Sequence, residues 1–417
     1  MKMMSKFGSN ARRSYGWSKC ALPLGFALLI CTSKVFGLGL RIPNQDASAI
    51  ARGNAFAATA DNPSAIYYNP AGITQLEGHN LQVGSLFYLG IYGDYKSPSG
   101  QKVDNDEEVL PVPNIYYTFT PKDSLLSFGL GVYEPFGFSV KWPNDAPFRT
   151  AGYEGDLTYI TINPVVALKV HRTLSIAAGP TFNYGDITLK RGLLPSPDII
   201  PGDQFKFDGN NWSYGFTAGA MWQPHEKWSF GLSYRSESCM KFEGTATISP
   251  AFLAPPPLPP SSSASTEVKF PQIIIGGVSY RPNEKWNIEV NIDWADWNSV
   301  DTLKISPYAN EKLDWHSSFM YEVGVTRYFD NGYYASTGFF YSEESTSGSY
   351  FTPLVPDTDL YIGSLGGGYK GEHWNWALAM QIIAGNYRSV DNQNDPSVDG
   401  KYKLFTPTVS FSVGYRF

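Results

Sequence analysis

Residues 286–294 read WNIEVNIDW, and this stretch decides the fold. Apolar side chains occupy every second position from Trp286 to Trp294. The positions between them hold polar residues, namely Asn287, Glu289, Asn291 and Asp293. A period of two predicts a β-strand with one apolar and one polar face. A tilted strand needs about 9–11 residues to cross the hydrocarbon core of a membrane, and this stretch is of that length.

The same alternation returns at residues 228–235 and 409–417. A soluble β-sandwich shows this pattern too, so the connections between strands must decide between the two architectures. Short polar connectors alternate strictly with longer segments such as 192–211 and 345–358. The connectors are Pro121-Lys122-Asp123, His171-Arg172-Thr173, Pro224-His225-Glu226-Lys227, Pro282-Asn283-Glu284-Lys285, Asp330-Asn331-Gly332 and Gly371-Glu372-His373.

Tight turns at one end and long loops at the other are typical of an outer-membrane barrel. The short turns join twelve strands, and one further strand at each end, near residues 80–95 and 403–417, makes fourteen. Trp228, Trp286 and Trp374 each follow a short turn, which puts three indole rings at one height, as a membrane interface favours. The sequence therefore predicts an all-β fold, a 14-stranded antiparallel transmembrane β-barrel in a Gram-negative outer membrane.

The N-terminus has the pattern of a secretory signal peptide. Basic residues precede the apolar stretch 20–33, and Val35 and Gly37 stand at the −3 and −1 positions of a cleavage site. Removal of residues 1–37 leaves 26 basic and 38 acidic residues, and the resulting net charge of −12 does not favour nucleic-acid binding. It also leaves Cys239 as the only cysteine, so no disulfide framework is expected.

Residues 38–79 do not alternate, and they are rich in Ala, Gly and Asn. Asp46 can cap a short Ala-rich helix over roughly residues 47–60, and two Asn-Pro steps then predict turns. The segment is too apolar for a disordered tail, and a fourteen-stranded barrel has a lumen wide enough to admit it. We therefore expect residues 38–79 to plug the barrel and residues 80–417 to form its wall. A periplasmic extension is the alternative.

Residues 47–73, ASAIARGNAFAATADNPSAIYYNPAGI, resemble the N-terminal hatch of the long-chain fatty-acid transporter (FadL/TodX-type) family. Other stretches are similar in the same order, namely Tyr133-Glu134-Pro135-Phe136-Gly137, Ile162-Asn163-Pro164, Ser233-Tyr234-Arg235-Ser236, residues 280–297 and residues 409–417. The resemblance implies uptake of hydrophobic small molecules, most notably long-chain fatty acids. It also implies capture at the outer loops and sideways release past the hatch, through an inward kink in the third strand. Monoaromatic or other hydrocarbons are the alternative ligands.

The resemblance also assigns candidate site residues. The hatch and ligand path would include Asn69, Pro70 and Ala71. The outer capture region near the third strand would include Pro135, Phe136 and Gly137. A fatty-acid carboxylate would favour a cation, because charge-assisted hydrogen bonds are the strong kind. The candidate cations are Arg41, Arg52, Lys190 and Arg191, each of which could equally be an ordinary lumenal or solvated charge.

Other classes of function receive little support. The chain has no G-x-S-x-G and no H-E-x-x-H motif, so we expect no enzyme. Glu289, Asp293 and Asp296 could suggest a metal site, but lumenal acids are routine in barrels, and we expect no metal and no cofactor. A general porin would not need a plug, although it remains an alternative. The proline- and serine-rich loop 249–265 predicts an extended spacer without an assigned role.

The expected partners follow from this location. They are a hydrophobic small molecule, the lipid and lipopolysaccharide of the outer membrane, and the barrel-assembly machinery. The last would recognise the C-terminal strand, which ends in Phe417.

Overall fold

The structure is a computed structural model that describes residues 39–106 and 109–417. Within these residues, a 19-stranded antiparallel sheet closes on itself, and a separate two-stranded hairpin lies outside it. Five of the wall strands are interrupted and consist of two consecutive pieces, so the described wall makes fourteen passes. The signal peptide predicted for residues 1–37 lies outside the described residues.

In chain order, the strands are β1 (Gly78–Leu89) continued by β2 (Tyr92–Lys96), β3 (Lys102–Asp104) continued by β4 (Val109–Thr120), β5 (Leu126–Lys141), β6 (Glu154–His171), β7 (Leu174–Arg191), β8 (Gln204–His225), β9 (Trp228–Arg235) continued by β10 (Ser238–Ser249), β11 (Ser261–Phe270) continued by β12 (Ile273–Asn283), β13 (Trp286–Ala295), the hairpin β14 (Thr302–Ile305) and β15 (Ala309–Lys312), β16 (Ser318–Tyr328), β17 (Tyr333–Ser342), β18 (Leu360–Lys370), β19 (Trp374–Gly385) continued by β20 (Arg388–Val390), and β21 (Gly400–Arg416).

The first and last strands close the barrel. β1 pairs with β21 from Asn80 opposite Arg416 to Tyr88 opposite Thr408, and β1 pairs with β4 on its other side. Closure matters because lipid offers no hydrogen bonds to the unpaired backbone of a free edge. The 14-stranded antiparallel barrel predicted from the sequence is confirmed.

The outer face of the wall is apolar and carries an aromatic belt. Trp228, Trp286 and Trp374 begin β9, β13 and β19, and all three side chains are exposed. In β13 the side chains of Ile288, Val290 and Ile292 are exposed, whereas the alternating polar residues are buried in the lumen. This arrangement matches a strand with lipid on one side and a packed interior on the other. Among the described residues, no helix is both long and apolar enough to span a membrane.

The helices of the N-terminal segment are short. They are α1 (Ala47–Ile50), α2 (Ala65–Tyr68) and a 3₁₀ turn (Pro70–Gln75), while other 3₁₀ turns lie in outer loops at Ala251–Leu253, Trp297–Ser299 and Pro396–Val398. Asp46 caps α1 as predicted, accepting hydrogen bonds from the Ser48 and Ala49 amides. The prediction of a helix over residues 47–60 was wrong. The helix ends because Gly53 and Asn54 adopt left-handed φ values of 63° and 59° and turn the chain.

The N-terminal segment packs inside the wall. Its residues 39–60 are all buried, and its backbone lies against glycines of the inner wall, with Arg52 at Gly338 and Ala57 at Gly231. Polar wall side chains supply the hydrogen bonds that its backbone lacks. The Glu289 carboxylate, for example, accepts hydrogen bonds from the Ala58 amide, at 2.7 Å, and from the Thr59 hydroxyl.

Candidate ligand cavity and lateral opening

A bulge in β5 interrupts the wall. The register of β5 with β6 shifts between Tyr133 and Phe136, so that Glu134 and Pro135 stand opposite the single residue Ile160. Proline cannot donate to a ladder, and its place in a strand is typically at such a bulge. Below the bulge, β5 pairs with β4 up to Val132, which lies opposite Ile115.

Above the bulge, β5 pairs with β6 alone. Residues 109–114 of β4 face residues 133–141 of β5 without ladder pairs, and the two edges meet again where the Asp106 amide donates to the Lys141 carbonyl. We call this break in the wall the lateral opening. A lateral opening needs local cover, because bare strand edges in lipid are costly.

The start of the described chain supplies that cover. Arg41 forms an antiparallel bridge with Phe136. The Ile42 amide donates to the Pro135 carbonyl at 2.9 Å, and the Gly137 amide donates to the Leu40 carbonyl at 2.8 Å. Residues 40–42 therefore act as a short extra strand that satisfies the bulged backbone from inside the lumen.

An ion pair holds this short strand from the far side of the lumen. The Arg41 guanidinium donates two hydrogen bonds to the Asp293 carboxylate, at 2.7 and 2.6 Å, and both side chains are buried. This bidentate geometry is the strong form of an arginine–carboxylate contact. Residues 40–42 are thus fixed between the bulge of β5 and the inner face of β13.

A cavity of about 540 Å³ lies above the bulge. Side chains of three neighbouring strands and the N-terminal segment form one apolar side, namely Leu40, Phe138, Leu157, Ile187 and Leu189. Outer-loop and β11 residues form the other, namely Val268, Val300, Leu303, Trp315, Leu354 and Val355. Its size and mostly apolar lining are those of a small-molecule site. Leu40 connects the two features, because it lines the cavity and also belongs to the strand that covers the lateral opening.

Charged side chains border this cavity. Three are basic, namely Lys241, Lys269 and Lys304, and three are acidic, namely Glu267, Asp301 and Glu311. Lys241 is paired with Glu243 at 2.6 Å, and Glu311 is paired with Arg191 at 2.6 Å. Burial raises the pKa of Glu311, and the charge of Arg191 opposes this shift. Lys269 and Lys304 border the cavity with exposed side chains.

The candidate cations predicted from sequence lie elsewhere. Arg41 is paired with Asp293, Arg191 with Glu311, and Lys190 with Glu154 at 2.7 Å, while the Arg52 guanidinium lies 5.2 Å from the Phe56 ring centre. None of these four residues lines the cavity described above. Their role in carboxylate binding stays a prediction. Sequence reasoning missed Lys269 and Lys304, because no local pattern marks the loop and strand positions that face one cavity.

The other predicted residues flank this region or lie below it. Pro135 lies in the bulge of β5, Phe136 and Gly137 follow it directly under the cavity, and Phe136 packs against Tyr159 and Phe270. Asn69 begins the 3₁₀ turn with Pro70 and Ala71, far along the N-terminal segment. Its side-chain amide donates to the carbonyls of Ala57, at 2.8 Å, and Ala220, at 3.0 Å.

Asn69 therefore ties the N-terminal segment to β8. A second charged contact ties the segment to the wall, where Asp61 pairs with Lys370 at 2.6 Å. Burial alone would raise the pKa of Asp61, but the charges of Lys370, Arg52 and Arg281 outweigh it and lower the pKa to about 2. Asp61 thus stays ionised and bound to Lys370 at neutral pH.

The described residues contain no group of three or more His, Cys, Asp or Glu side chains that could hold a metal ion. What they contain is a closed barrel with an apolar outer face, a filled lumen, and an apolar cavity beside a covered break in the wall. These features define an outer-membrane channel for hydrophobic molecules.

The chain belongs to the outer membrane protein transport protein family (OMPP1/FadL/TodX), whose sequence model matches residues 28–414. Members of this family are transport channels and not enzymes, and they reside in the outer membrane, as the sequence predicted. The resemblance stated from the hatch and the ordered stretches is thereby confirmed.

Individual relatives are distant in sequence. The chain is 21% identical to the long-chain fatty acid transport protein of Escherichia coli K12 over 399 residues, which cover 85% of this chain and 88% of that protein. It is 22% identical to outer membrane protein P1 of Haemophilus influenzae, with 83% and 86% covered. A FadL homologue of Pseudomonas aeruginosa has a similar fold, with a TM-score of 0.80, 18% identity, and 91% and 100% of the two chains covered. The toluene transporter TodX of Pseudomonas putida also has a similar fold, with a TM-score of 0.70 and 15% identity, and 93% of this chain and 100% of that chain are covered.

Proposed function

We propose that this outer-membrane transporter takes up long-chain fatty acids by capture at the outer loops and lateral release past the N-terminal segment. One observation carries the proposal, namely that a single residue, Leu40, lines the apolar cavity and also covers the lateral opening. A ligand that fills the cavity would therefore press directly on the strand that closes the way into the membrane.

A lateral route suits an apolar ligand. Such a molecule would lose favourable apolar contacts on entering a water-filled lumen, and burial of each CH₂ group away from water is worth about 0.8 kcal/mol. Release between β4 and β5 keeps the chain in apolar surroundings from the cavity to the bilayer. Residues 38–79 act in this scheme as the hatch that blocks the straight path to the periplasm.

Two observations favour a fatty acid over a hydrocarbon. Lys269 and Lys304 border the cavity and offer charged donors to a carboxylate. The relatives from Escherichia coli and Shigella flexneri are named as long-chain fatty acid transport proteins. The similarity to the toluene transporter of Pseudomonas putida concerns the fold, and a monoaromatic ligand is the alternative outcome of the test below.

The test measures binding of oleate and methyl oleate to the purified protein. Replacing Lys269 and Lys304 together with Gln should weaken oleate binding about 10-fold, which corresponds to about 1.4 kcal/mol, and leave methyl oleate unchanged. Lys312→Gln is the matched control, because Lys312 lies in the same outer hairpin but pairs with Asp314 and does not line the cavity.

Each outcome of this test has a definite meaning. Equal weakening of oleate and methyl oleate would mean that the lysines only shape the cavity. No binding of oleate, together with binding of toluene, would move the proposal to hydrocarbons. Large steady ion currents through the intact protein in a planar bilayer would contradict both fatty-acid and hydrocarbon transport and would indicate a porin.

The same proposal includes two partners. Phe417 follows the closing strand β21 and is exposed, and we expect the barrel-assembly machinery to recognise that strand during insertion. Lipopolysaccharide would surround the outer loops. Because it forms a polar barrier, an apolar ligand needs a dedicated channel.

A further inference from the structure

The wall has a second break, between the sixth and seventh passes. β8 pairs with β9 up to Thr217 opposite Arg235, and it pairs with β10 from Asn210 opposite Glu243 onward. Between these points, residues 211–216 face residues 236–242 without ladder pairs. On either side the ladders continue, with β7 paired to β8 through residues 211–216 and β10 paired to β11 through residues 238–242. We call this break the wall window.

The wall window is more than a simple bulge. A bulge adds one residue and lets the ladder resume at once. Here side chains bridge the two edges instead, since Ser236 Oγ accepts from the Phe216 amide at 2.9 Å and Asn211 Nδ2 donates to the Lys241 carbonyl at 2.7 Å. One backbone bond remains at the lower end, from the Ser236 amide to the Phe216 carbonyl at 2.9 Å. A strand edge bridged by an asparagine side chain is farther from its neighbour than a directly paired one.

The wall window lies at the outer edge of the apolar band. The lipid-facing residues of β8 are apolar or small from Trp222 up to Trp212. Trp212, Tyr214 and Phe216 flank the window and are 48%, 68% and 49% exposed. The opposite edge carries Cys239, which is exposed. Aromatic side chains at this height are typical of the membrane interface.

The inner side of the wall window borders the ligand cavity. Met240, on the edge of the window, is buried on the inner face and lies opposite Val268 in the ladder, and Val268 lines that cavity. Immediately inside, the Tyr159 hydroxyl and Ser238 Oγ lie 2.7 Å apart and join β6 to β10. Met240 is fully buried and packs beside Gly185 on β7. Buried side chains on the inner face of the window therefore lie between the cavity and the membrane interface here.

We propose that the wall window is a second lateral portal, through which apolar molecules pass between the cavity and the outer region of the membrane. Above the Ser236–Phe216 contacts, its closing contacts are the Tyr159–Ser238 hydrogen bond and the Asn211 bridge, and both involve side chains that can rotate away without breaking a ladder. The portal is separate from the lateral opening at β5, and it does not require residues 40–42 to move.

The test asks whether a reagent confined to the membrane can reach the lumen through the wall window. A phospholipid that carries a maleimide on its acyl chain is incorporated into vesicles with the full-length protein. Met240→Cys, made together with Cys239→Ser, places an inward-facing thiol behind the window. Ile362→Cys in the same background is the matched control, because Ile362 is equally buried and its strand is paired without a break on both sides.

The portal predicts that Met240→Cys reacts at least about 10-fold faster than Ile362→Cys, and that adding Ser238→Trp abolishes the difference. Equal rates for the two thiols, while Cys239 of the unsubstituted protein reacts readily from outside, would overturn the proposal. If Met240→Cys fails to fold, Ser238→Cys serves in its place. The assay needs no transported substrate, so its result is independent of whether the protein carries fatty acids.

Discussion

Asp293→Asn removes the carboxylate that holds Arg41 in place. Arg41 belongs to residues 40–42, the short strand that covers the lateral opening. The substitution keeps the shape of the side chain but leaves the guanidinium buried without its ion-pair partner. Breaking a buried ion pair from one side costs about 3–5 kcal/mol. Every 1.4 kcal/mol is a factor of ten, so residues 40–42 should detach from β5 roughly a hundred to several thousand times more often.

Hydrogen exchange measures this detachment directly. The amides of Ile42 and Gly137 are protected by the two hydrogen bonds between residues 40–42 and the bulge of β5. Both amides should exchange faster in Asp293→Asn, by about the factor given above. Arg41→Gln combined with Asp293→Asn should recover part of the protection, because no charge then remains buried without a partner.

The matched control is Glu154→Gln. It breaks the pair with Lys190, whose side chains are 23% and 25% exposed, and partly exposed pairs contribute only about 0–1 kcal/mol. Protection of Ile42 and Gly137 should be unchanged in that variant. Unchanged protection in Asp293→Asn as well would refute the idea that the ion pair holds the opening shut.

Three further predictions concern other parts of the molecule. Gly338→Val should displace the N-terminal segment and raise ion conductance in planar bilayers, because its side chain would meet the Arg52 backbone, whereas lipid-facing Gly363→Val should conduct like the wild type. Asp203→Asn should loosen the outer loops by about 3–5 kcal/mol, seen as faster proteolysis, since Asp203 and Arg149 form a fully buried pair. Burial opposes ionisation of Asp203, but hydrogen bonds from Arg149 outweigh it and lower the pKa of Asp203 below the ordinary 3.8. The wild-type loops should therefore resist proteolysis at neutral pH and loosen only as pH falls below about 3.8.

The barrel could be predicted because its signals are local. Alternation within each strand, the short turns and the tryptophans that follow them are all visible in neighbouring residues. The Asp46 cap was predictable for the same reason. The length of the helix after Asp46 was not predictable, because the left-handed turn at Gly53 and Asn54 depends on the wall that packs against it.

The site depends on partners that are distant in the chain. Arg41 and Asp293 are separated by 252 positions, and neither residue alone indicates the other. The cavity combines side chains of β5, β6, β7 and β11 with two outer loops, so no spacing rule could collect them.

Lateral release is tested most directly by locking residues 40–42 to β5. Arg41 and Phe136 form an antiparallel bridge flanked by hydrogen bonds, and residues paired in this way have Cα atoms about 4.5 Å apart, within the range for a disulfide. The variant carries Arg41→Cys and Phe136→Cys, with Asp293→Asn to remove the stranded charge and Cys239→Ser to remove the native thiol. The two single-cysteine variants are controls.

The measurement is uptake of radiolabelled oleate by cells that lack their own transporter. Uptake by the double-cysteine variant should fall when the disulfide forms and return when dithiothreitol reduces it, while both single-cysteine controls stay constant. Uptake that continues unchanged with the disulfide fully formed would contradict release through the lateral opening beside β5.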